Sequence, residues 1–391
     1  MENVVIAAGV RTPIGSFGGV FKEVSARQLA ETVIRGVMER AGLAAEQIDE
    51  VILGNCIQHT DTPNIARVAA LDAGLGKEVT GFTIQRQCAS GMQAISSAAS
   101  QIMLGESEIV IAGGVESMSN APYILKGARW GQRLTHGEMT DAMWELLTDP
   151  HHRILMGETA ERLAERFGIT REEQDEIALR SQRNAIQAID SGKFAEEIIA
   201  VPVKRRGETR WVTADEHPRR DVTLESLAKL RPQFRENGTV TAGNSSGIND
   251  GASAVAVMGK AKARELGIEP LGRIVSWACA GVEPDLMDYG PVPAVQKVLA
   301  KAGLSLADID LIEVNEAFAA QYLAVEKLLG LERERTNVNG SGIALGHPVG
   351  STGCRIVVTL LHEMKRRQTR YGLAALCAGG GMGMAMVLER V

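Results

Sequence analysis

The sequence predicts an α/β protein made of a duplicated unit with a long insertion between the copies. Three observations carry that prediction. Helical stretches alternate with short Val/Ile-rich runs, the pattern of α/β layers. The two ends of the chain echo each other at a fixed spacing, and the middle differs from both in composition.

The echo is specific. Ala41-Gly42-Leu43 is followed by Ile48-Asp49 and the apolar run Val51-Ile52-Leu53, and 261 residues later Ala302-Gly303-Leu304 is followed by Ile309-Asp310 and Leu311-Ile312. Each copy reads as helix, short loop and buried strand. The first helix opens on a capping box, Ser25 to Gln28, in which Ser25 accepts from a free backbone N–H. Ser90 and Ser351 keep the same spacing. Gly-rich strand ends recur at Ala112-Gly113-Gly114 and Ala378-Gly379-Gly380-Gly381.

Between the copies, Ser119 to Thr241 is richer in charge and strongly helical in segments such as Arg171 to Ile189. It reads as an insertion covering a site. Asn244 to Gly267 returns to small and apolar residues and is expected to rejoin the first copy. The expected division is therefore 1–118 plus 244–268 for the first half, 119–243 for the inserted loop domain and 269–391 for the second half.

Bulk properties agree. A chain of 391 residues is too long for one ordinary core. Its 45% hydrophobic and 23% charged residues are the balance of a soluble globular protein. A net charge of −6 argues against nucleic acid as partner. Five scattered cysteines, with no C-x-x-C pair, suit reduced thiols in a cytoplasmic protein rather than disulfides or zinc. The start, MENVVIAAGVRTP, lacks the basic–apolar–small pattern of a secretory signal. The uncharged run Gln87 to Gly105 is short for a membrane span and is broken by Ser90, Ser96, Ser97, Ser100, Gln93 and Gln101, so a buried helix is expected.

Four places carry chemistry. Gly81 to Gln85 reads as a strand and Ala89 to Leu104 as a helix, which sets Cys88 at the helix N-terminus. Backbone N–H groups and the helix dipole there favour a thiolate, and Cys88 is the expected nucleophile. The alternative is an inert buried cysteine. His347 stands in Gly346-His-Pro-Val-Gly-Ser-Thr-Gly353, the loop opening the matching helix of the second copy. Pseudo-symmetry should bring it to face Cys88, where a histidine acts as base, the alternative being an exposed loop residue. Cys377 ends the apolar strand Leu373–Cys377 and precedes glycines that expose N–H donors for an oxyanion, the alternative being a core cysteine. Asn315 follows the strand Leu311–Val314 and can hold a water or serve as an N-cap, while Glu316 can orient a histidine.

Arg11-Thr-Pro-Ile-Gly15 with Phe17-Gly-Gly19, Cys88-Ala-Ser-Gly91, Asn315-Glu-Ala-Phe-Ala319, Gly346-His-Pro-Val-Gly350 and Cys377-Ala-Gly-Gly-Gly381 together resemble the thiolases, in order, over essentially the whole chain. Lys229-Leu-Arg-Pro232 and Gly238–Asp250 are most similar to the bacterial acetyl-CoA acetyltransferase branch. The resemblance implies two βαβαβαββ halves in a five-layered α/β/α/β/α core, with a loop domain holding coenzyme A. It implies a Cys88 acyl-enzyme formed with His347 as base, and Cys377 moving the methyl proton in a reversible Claisen condensation of two acetyl-CoA. It also implies one oxyanion site at His347 and a water on Asn315, and another at the backbone N–H groups of Cys88 and Gly379. No metal or prosthetic group is expected. Acyl-CoA and coenzyme A are the expected partners, with no nucleic acid or membrane, in a homo-oligomer, a tetramer ahead of a dimer.

From Lys204 to Arg235 nine Lys/Arg face five Asp/Glu, a local excess suited to the phosphates of coenzyme A. By resemblance Arg219 and Ser226 lie near the nucleotide, Ser246 near the pantetheine arm, and Phe234 and Phe318 along that arm. The substrate pocket is expected at Leu155, Met156, Met287 and Tyr289 with the same two phenylalanines. Two departures fall there: Leu155 stands where short-chain biosynthetic members usually carry histidine, and Met287-Asp288-Tyr289-Gly290-Pro291 replaces a usual Met-Gly-x-Gly-Pro. They open the way to longer acyl chains, so a degradative 3-ketoacyl-CoA thiolase is the alternative activity. A non-catalytic acyl-CoA-binding scaffold is a remoter one. Ketoacyl synthases differ in using histidine where Cys377 stands.

Overall fold

A computed structural model describes residues 4–205 and 207–391; Arg206, one of the counted basic residues, lies outside them. The first half begins with strand β1 (Val4–Arg11), then helix α1 (Ala26–Ala41), β2 (Glu50–Gly54), α2 (Ile65–Asp72), β3 (Thr80–Ile84), α3 (Ser90–Leu104) and β4 (Ile109–Ser117). A middle segment follows, with helices α4 (Met156–Phe167) and α5 (Arg171–Asp190) and two short hairpins. Strand β5 (Asn249–Gly259) then returns to lie between β4 and β1, antiparallel to both, completing the sheet β3-β2-β4-β5-β1.

The second half repeats the order: β6 (Gly272–Gly281), α6 (Pro291–Ala302), β7 (Leu311–Val314), α7 (Ala319–Leu329), α8 (Val349–Arg367), β8 (Tyr371–Ala378) and β9 (Met382–Glu389). A parallel bridge from Ile312 to Thr336 stands where β3 stands in the first half. Among the described residues the two sheets meet edge to edge through two residue pairs, Val5–Arg273 and Ile6–Gly272. Helices α3 and α8 pack on each other between the sheets, with α1 and α2 outside one sheet and α6 and α7 outside the other. These are the expected five layers.

The echoed residues turn out to be fold punctuation. Gly42 and Gly303 hold φ of 66° and 68°, and Leu43 and Leu304 each donate back to the carbonyl of a residue five earlier at 3.0 Å. Each is a helix stop that only a residue tolerating left-handed backbone closes cheaply. Asp49 Oδ2 accepts the N–H groups of Glu108 and Ile109, and Asp310 Oδ2 accepts those of Arg370 and Tyr371, all at 2.7–2.9 Å. In both copies one aspartate thus pins the start of the neighbouring strand.

The central helices approach so closely that side chains are excluded at the contact. A Cβ on Gly91 would lie 2.8 Å from the Cys354 nitrogen, and one on Gly353 would lie 2.6 Å from that of Met92. Alanine at either place would separate the helices and, with them, the loops that precede them. The serines of α3 spend their hydroxyls locally, as Ser96 on Gln93 O and Ser100 on Ser96 O, both 2.9 Å. Among the described residues no helix is long and apolar enough to cross a membrane.

Arg11, at the end of β1, fastens the middle segment to the first sheet. Its buried guanidinium meets Glu197 at 2.6 Å and Asp215 at 2.7 and 2.9 Å. Removing the cation would leave buried carboxylates without a counterion, a loss of about 3–5 kcal/mol. The Arg11 motif is a structural anchor.

Candidate active site

Strand β3 ends at Ile84, and the chain turns sharply before α3. Ser90 Oγ accepts from Arg86 N at 2.8 Å and donates to Gln87 O at 2.6 Å, and Gln87 sits at φ 49°. This turn lifts Cys88 just ahead of the first helical residue. Its own N–H and that of Gly379 lie near enough to favour the charged form of the sulfur. The helix-start argument predicts a lowered thiol pKa. Burial wins instead and pushes the Cys88 thiol up to about 12 against those two donors. At rest Cys88 is a thiol, and it needs a base.

His347 is buried in the loop before α8. Its Nδ1 is 2.6 Å from Thr352 Oγ1, and that hydroxyl donates to Pro348 O at 3.0 Å. Because the single hydroxyl proton goes to the carbonyl, Thr352 accepts from Nδ1–H, which leaves the Nε2 lone pair free. Asn249 Oδ1 fixes the loop by accepting from His347 N at 2.9 Å. Burial, and then the nearby Arg355, lower the imidazole pKa to about 3, so it stays neutral. Val349, two residues on, packs in one apolar cluster with Cys88 and Cys56.

Glu316 does not orient this histidine. Its carboxylate accepts from Ser181 at 2.5 Å and from Asn337 at 2.8 Å, which corrects the expected role. Asn315 is fully buried, and neither its Oδ1 nor its Nδ2 finds a partner among the described residues. Such an orphaned amide is what a water-holding residue requires.

Cys377, fully buried at the end of β8, is two residues before Gly379. Burial, then the charges of Asp288 and Cys88, push its thiol well above the ordinary range. Glu116 ties the loops of the two halves together. It accepts from Gly350 N at 2.8 Å, Cys56 N and Ile57 N at 3.0 Å and Asn55 Nδ2 at 2.8 Å, and burial raises its pKa to about 7. Asn249 and Glu116 were not singled out in the sequence, because their partners lie on other elements, whereas Thr352 stands five residues from His347 within the Gly346–Gly353 motif.

Beside the site, Met156, Phe234, Met287 and Phe318 join one apolar cluster, with the two phenyl rings edge to face at 6.1 Å. Leu155 is half-buried just before α4. Tyr289 packs against the same cluster while its hydroxyl donates outward to Glu283 at 2.5 Å. From that segment it is Asp288 that turns inward.

Two adjoining cavities, about 160 and 560 Å³, share Gln182, Arg219 and Val222. The smaller is also lined by His217, Ser226, Ser245 and Ile343, and so runs toward the His347 loop. Arg219 and Arg183 make no ion pair among the described residues, whereas Arg220 is held by Asp190. Ser226 spends its hydroxyl capping the short helix 224–228 with Thr223. Ser246 is half-buried beside the cavity lining, its N–H on Ala317 O. Gln182, Arg183 and His217 complete the groove without having been expected.

Two family models span the chain: Thiolase, N-terminal domain over 4–261 and Thiolase, C-terminal domain over 268–390. The chain belongs to the thiolase family. Among relatives of this thiolase, the acetyl-CoA acetyltransferase of Syntrophomonas wolfei is 52% identical over 394 residues, covering 99% of each chain. The crystal structure of the Bacillus anthracis acetyl-CoA acetyltransferase superposes with a TM-score of 0.99 at 57% identity, over 100% of this chain and 99% of that one. Human mitochondrial 3-ketoacyl-CoA thiolase in complex with CoA superposes at 0.96 with 43% identity, over 100% and 98%.

Proposed function

We propose that this thiolase is an acetyl-CoA acetyltransferase, joining two acetyl-CoA to acetoacetyl-CoA and coenzyme A, reversibly, through an acyl group on Cys88. The observation that carries the reading is a cysteine at the mouth of α3 and a second, fully buried cysteine, together with a buried His347 whose Nδ1–H is held by Thr352 so that Nε2 is free as a base. His347 Nε2 takes the Cys88 proton as the sulfur attacks the thioester, and coenzyme A leaves with a proton. The acyl oxygen then lies within reach of the Cys88 and Gly379 N–H groups. Cys377, having given up its own S–H proton, takes the methyl proton of the second acetyl-CoA and passes it to the Cys88 thiolate that leaves as the new carbon–carbon bond forms. The resulting enolate oxygen faces His347 and a water held by Asn315, and the carbon attacks the Cys88-bound acyl group.

Coenzyme A is read into the groove of Arg219, Ser226 and Ser246. The unpaired guanidinium of Arg219 is the phosphate contact, Ser226 contributes chiefly by shaping the rim, and Phe234 and Phe318 flank the arm. Met156, Met287 and Leu155 form the acyl pocket. The same reading divides the chain at 1–118 with 244–268, 119–243 and 269–391. A cytoplasmic homotetramer in fatty acid metabolism is part of the proposal. Its oligomeric side is supported by exposed Tyr123, Ile124, Leu125, Trp130, Leu134 and Met139 on the excursion around the first hairpin.

The test is incubation with acetyl-CoA followed by intact-mass measurement and thiolysis of acetoacetyl-CoA. A single acetyl group on Cys88 and turnover of the four-carbon substrate are expected. A protein that binds acetyl-CoA without becoming acylated is a scaffold.

A further inference from the structure

The turn Pro284–Tyr289 delivers to the site one side chain that the steps above do not use. Asp288 is wholly buried. Its Oδ2 is 2.7 Å from Thr159 Oγ1, and its Oδ1 lies 4.0 Å from the Cys377 sulfur. Thr159 Oγ1 is also 2.6 Å from Met156 O. The one hydroxyl proton of Thr159 therefore has two acceptors. It turns to Oδ2 when the carboxyl is ionised, and to Met156 O when the carboxyl is an acid that itself donates to Oγ1. Both protonation states of Asp288 find a partner in the same geometry.

We propose that Asp288 is the proton partner of Cys377, its carboxylate receiving the S–H proton so that the thiolate can take the methyl proton of the second acetyl-CoA. The proposal rests on the reading of Cys377 as the acid/base. The S–H bond breaks and an O–H bond forms on Oδ1, leaving a thiolate beside a neutral acid. The thiolate takes a proton from the methyl carbon and is again a thiol. The carbon bonds to the acyl carbon as the Cys88 C–S bond breaks. The Cys88 thiolate takes the proton of Cys377, and Cys377 takes back that of Asp288, so protons and electrons balance over the cycle. The first transfer is uphill, since burial holds the Cys377 thiol well above the Asp288 carboxyl. The thiolate is correspondingly transient and basic, as deprotonation at carbon requires.

The surroundings fit. The turn packs against α4, α6, α7, β8 and β9. Their titratable groups are Glu158, Glu161, Arg162, Glu165 and Arg166; Lys297 and Lys301; Tyr322, Glu326 and Lys327; Tyr371 and Cys377; and Glu389. Among the described residues only Cys377 of these comes within hydrogen-bonding distance of Asp288. Arg162 is engaged by Asp285, Glu158 by Arg235, and Glu161 by the Thr239 and Val240 N–H groups. Within the turn, Tyr289 faces Glu283. Burial raises Asp288 to about 7, opposed by the Thr159 hydroxyl. The basic form is present above that pH and is lost as pH falls through it.

The experiment follows two half-reactions of the full-length enzyme with acetyl-CoA across about pH 5.5 to 9: acylation of Cys88 by intact mass, and hydrogen–deuterium exchange at the acetyl methyl. In the wild type, exchange should fall as pH drops through about 7, while acylation does not. Asp288→Asn should still acylate, lose about 10²-fold or more in exchange and lose that pH limb. Asp288→Glu should recover part of the rate together with the limb. Thr159→Val removes the stabilising hydroxyl and should move the limb to higher pH, which decides the matter even if Asp288→Asn fails to fold. Asp288→Asn with the wild-type rate and limb, or Thr159→Val with the limb unmoved, overturns the proposal. Cys377→Ser retaining exchange overturns the underlying reading instead.

Discussion

Cys88 and Cys377 lie in one site, yet their surroundings differ in kind. Cys88 is half-buried at the mouth of a helix, with two backbone N–H groups near enough to favour a charged sulfur. Cys377 is fully enclosed at a strand end, and among the described residues its one side-chain hydrogen-bond partner is a carboxyl. The first surrounding stabilises negative charge placed on or beside sulfur, as nucleophilic attack demands. The second opposes a thiolate and makes it a strong base once formed. In the proposed mechanism, identical side chains would thus serve different halves of the reaction through donors in one case and an acceptor in the other.

The largest expected effect breaks the comparison outright. Cys88→Ala should abolish the acyl-enzyme and lower turnover by about 10⁴-fold or more. An acyl group appearing elsewhere on Cys88→Ala at a comparable rate, seen by peptide mass mapping, would assign the nucleophile to another residue.

Cys377→Ser separates the two surroundings. It should still acylate Cys88 but lose about 10²–10⁴-fold in methyl hydrogen exchange. Exchange at the wild-type rate would return Cys377 to a packing role.

The base serving Cys88 sharpens the contrast through pH. With its pKa lowered to about 3, His347 remains deprotonated over the whole physiological range. Acylation should therefore show no loss as pH falls through about 6.5, the ordinary histidine value. A limb there in the pH–rate profile of acylation would mean that His347 is not the buried neutral base. Thr352→Val frees the imidazole to adopt the wrong tautomer and should slow acylation by about 10–100-fold, measured by rapid-quench mass spectrometry.

The smallest effect concerns the pocket beside both cysteines. Discrimination among acyl chains by an apolar wall amounts to about 1–3 kcal/mol per methylene, so the preference should be graded. The wild type should accept four-carbon and somewhat longer 3-ketoacyl-CoA, and Leu155→His should narrow the range toward acetoacetyl-CoA. Tyr289→Phe should leave it unchanged, because that hydroxyl points to Glu283. Thiolysis rates over a chain-length series check both, and an unchanged profile in Leu155→His removes Leu155 from the wall.

The sequence by itself determined the duplication, since Gly42 with Gly303 and Asp49 with Asp310 are local stops and pins that must recur wherever the unit recurs. It also placed Cys88, His347 and Cys377 at turns and strand ends, because the ends of β3 and β8 and the start of α8 are marked by local glycine and strand patterns. Only the tertiary structure decided their electrostatics. A sequence places Cys88 at a helix start, but the water excluded around it comes from elements brought together across the fold. That desolvation reverses the predicted pKa direction. Likewise Thr352, and not Glu316, holds His347, and Asp288 turns its carboxyl inward while Tyr289 sends its hydroxyl out to Glu283. The partners of Asp288 and Glu316 and the burial around Cys88 are set by neighbours far along the chain, and no local pattern encodes which way a side chain turns at a meeting of two halves.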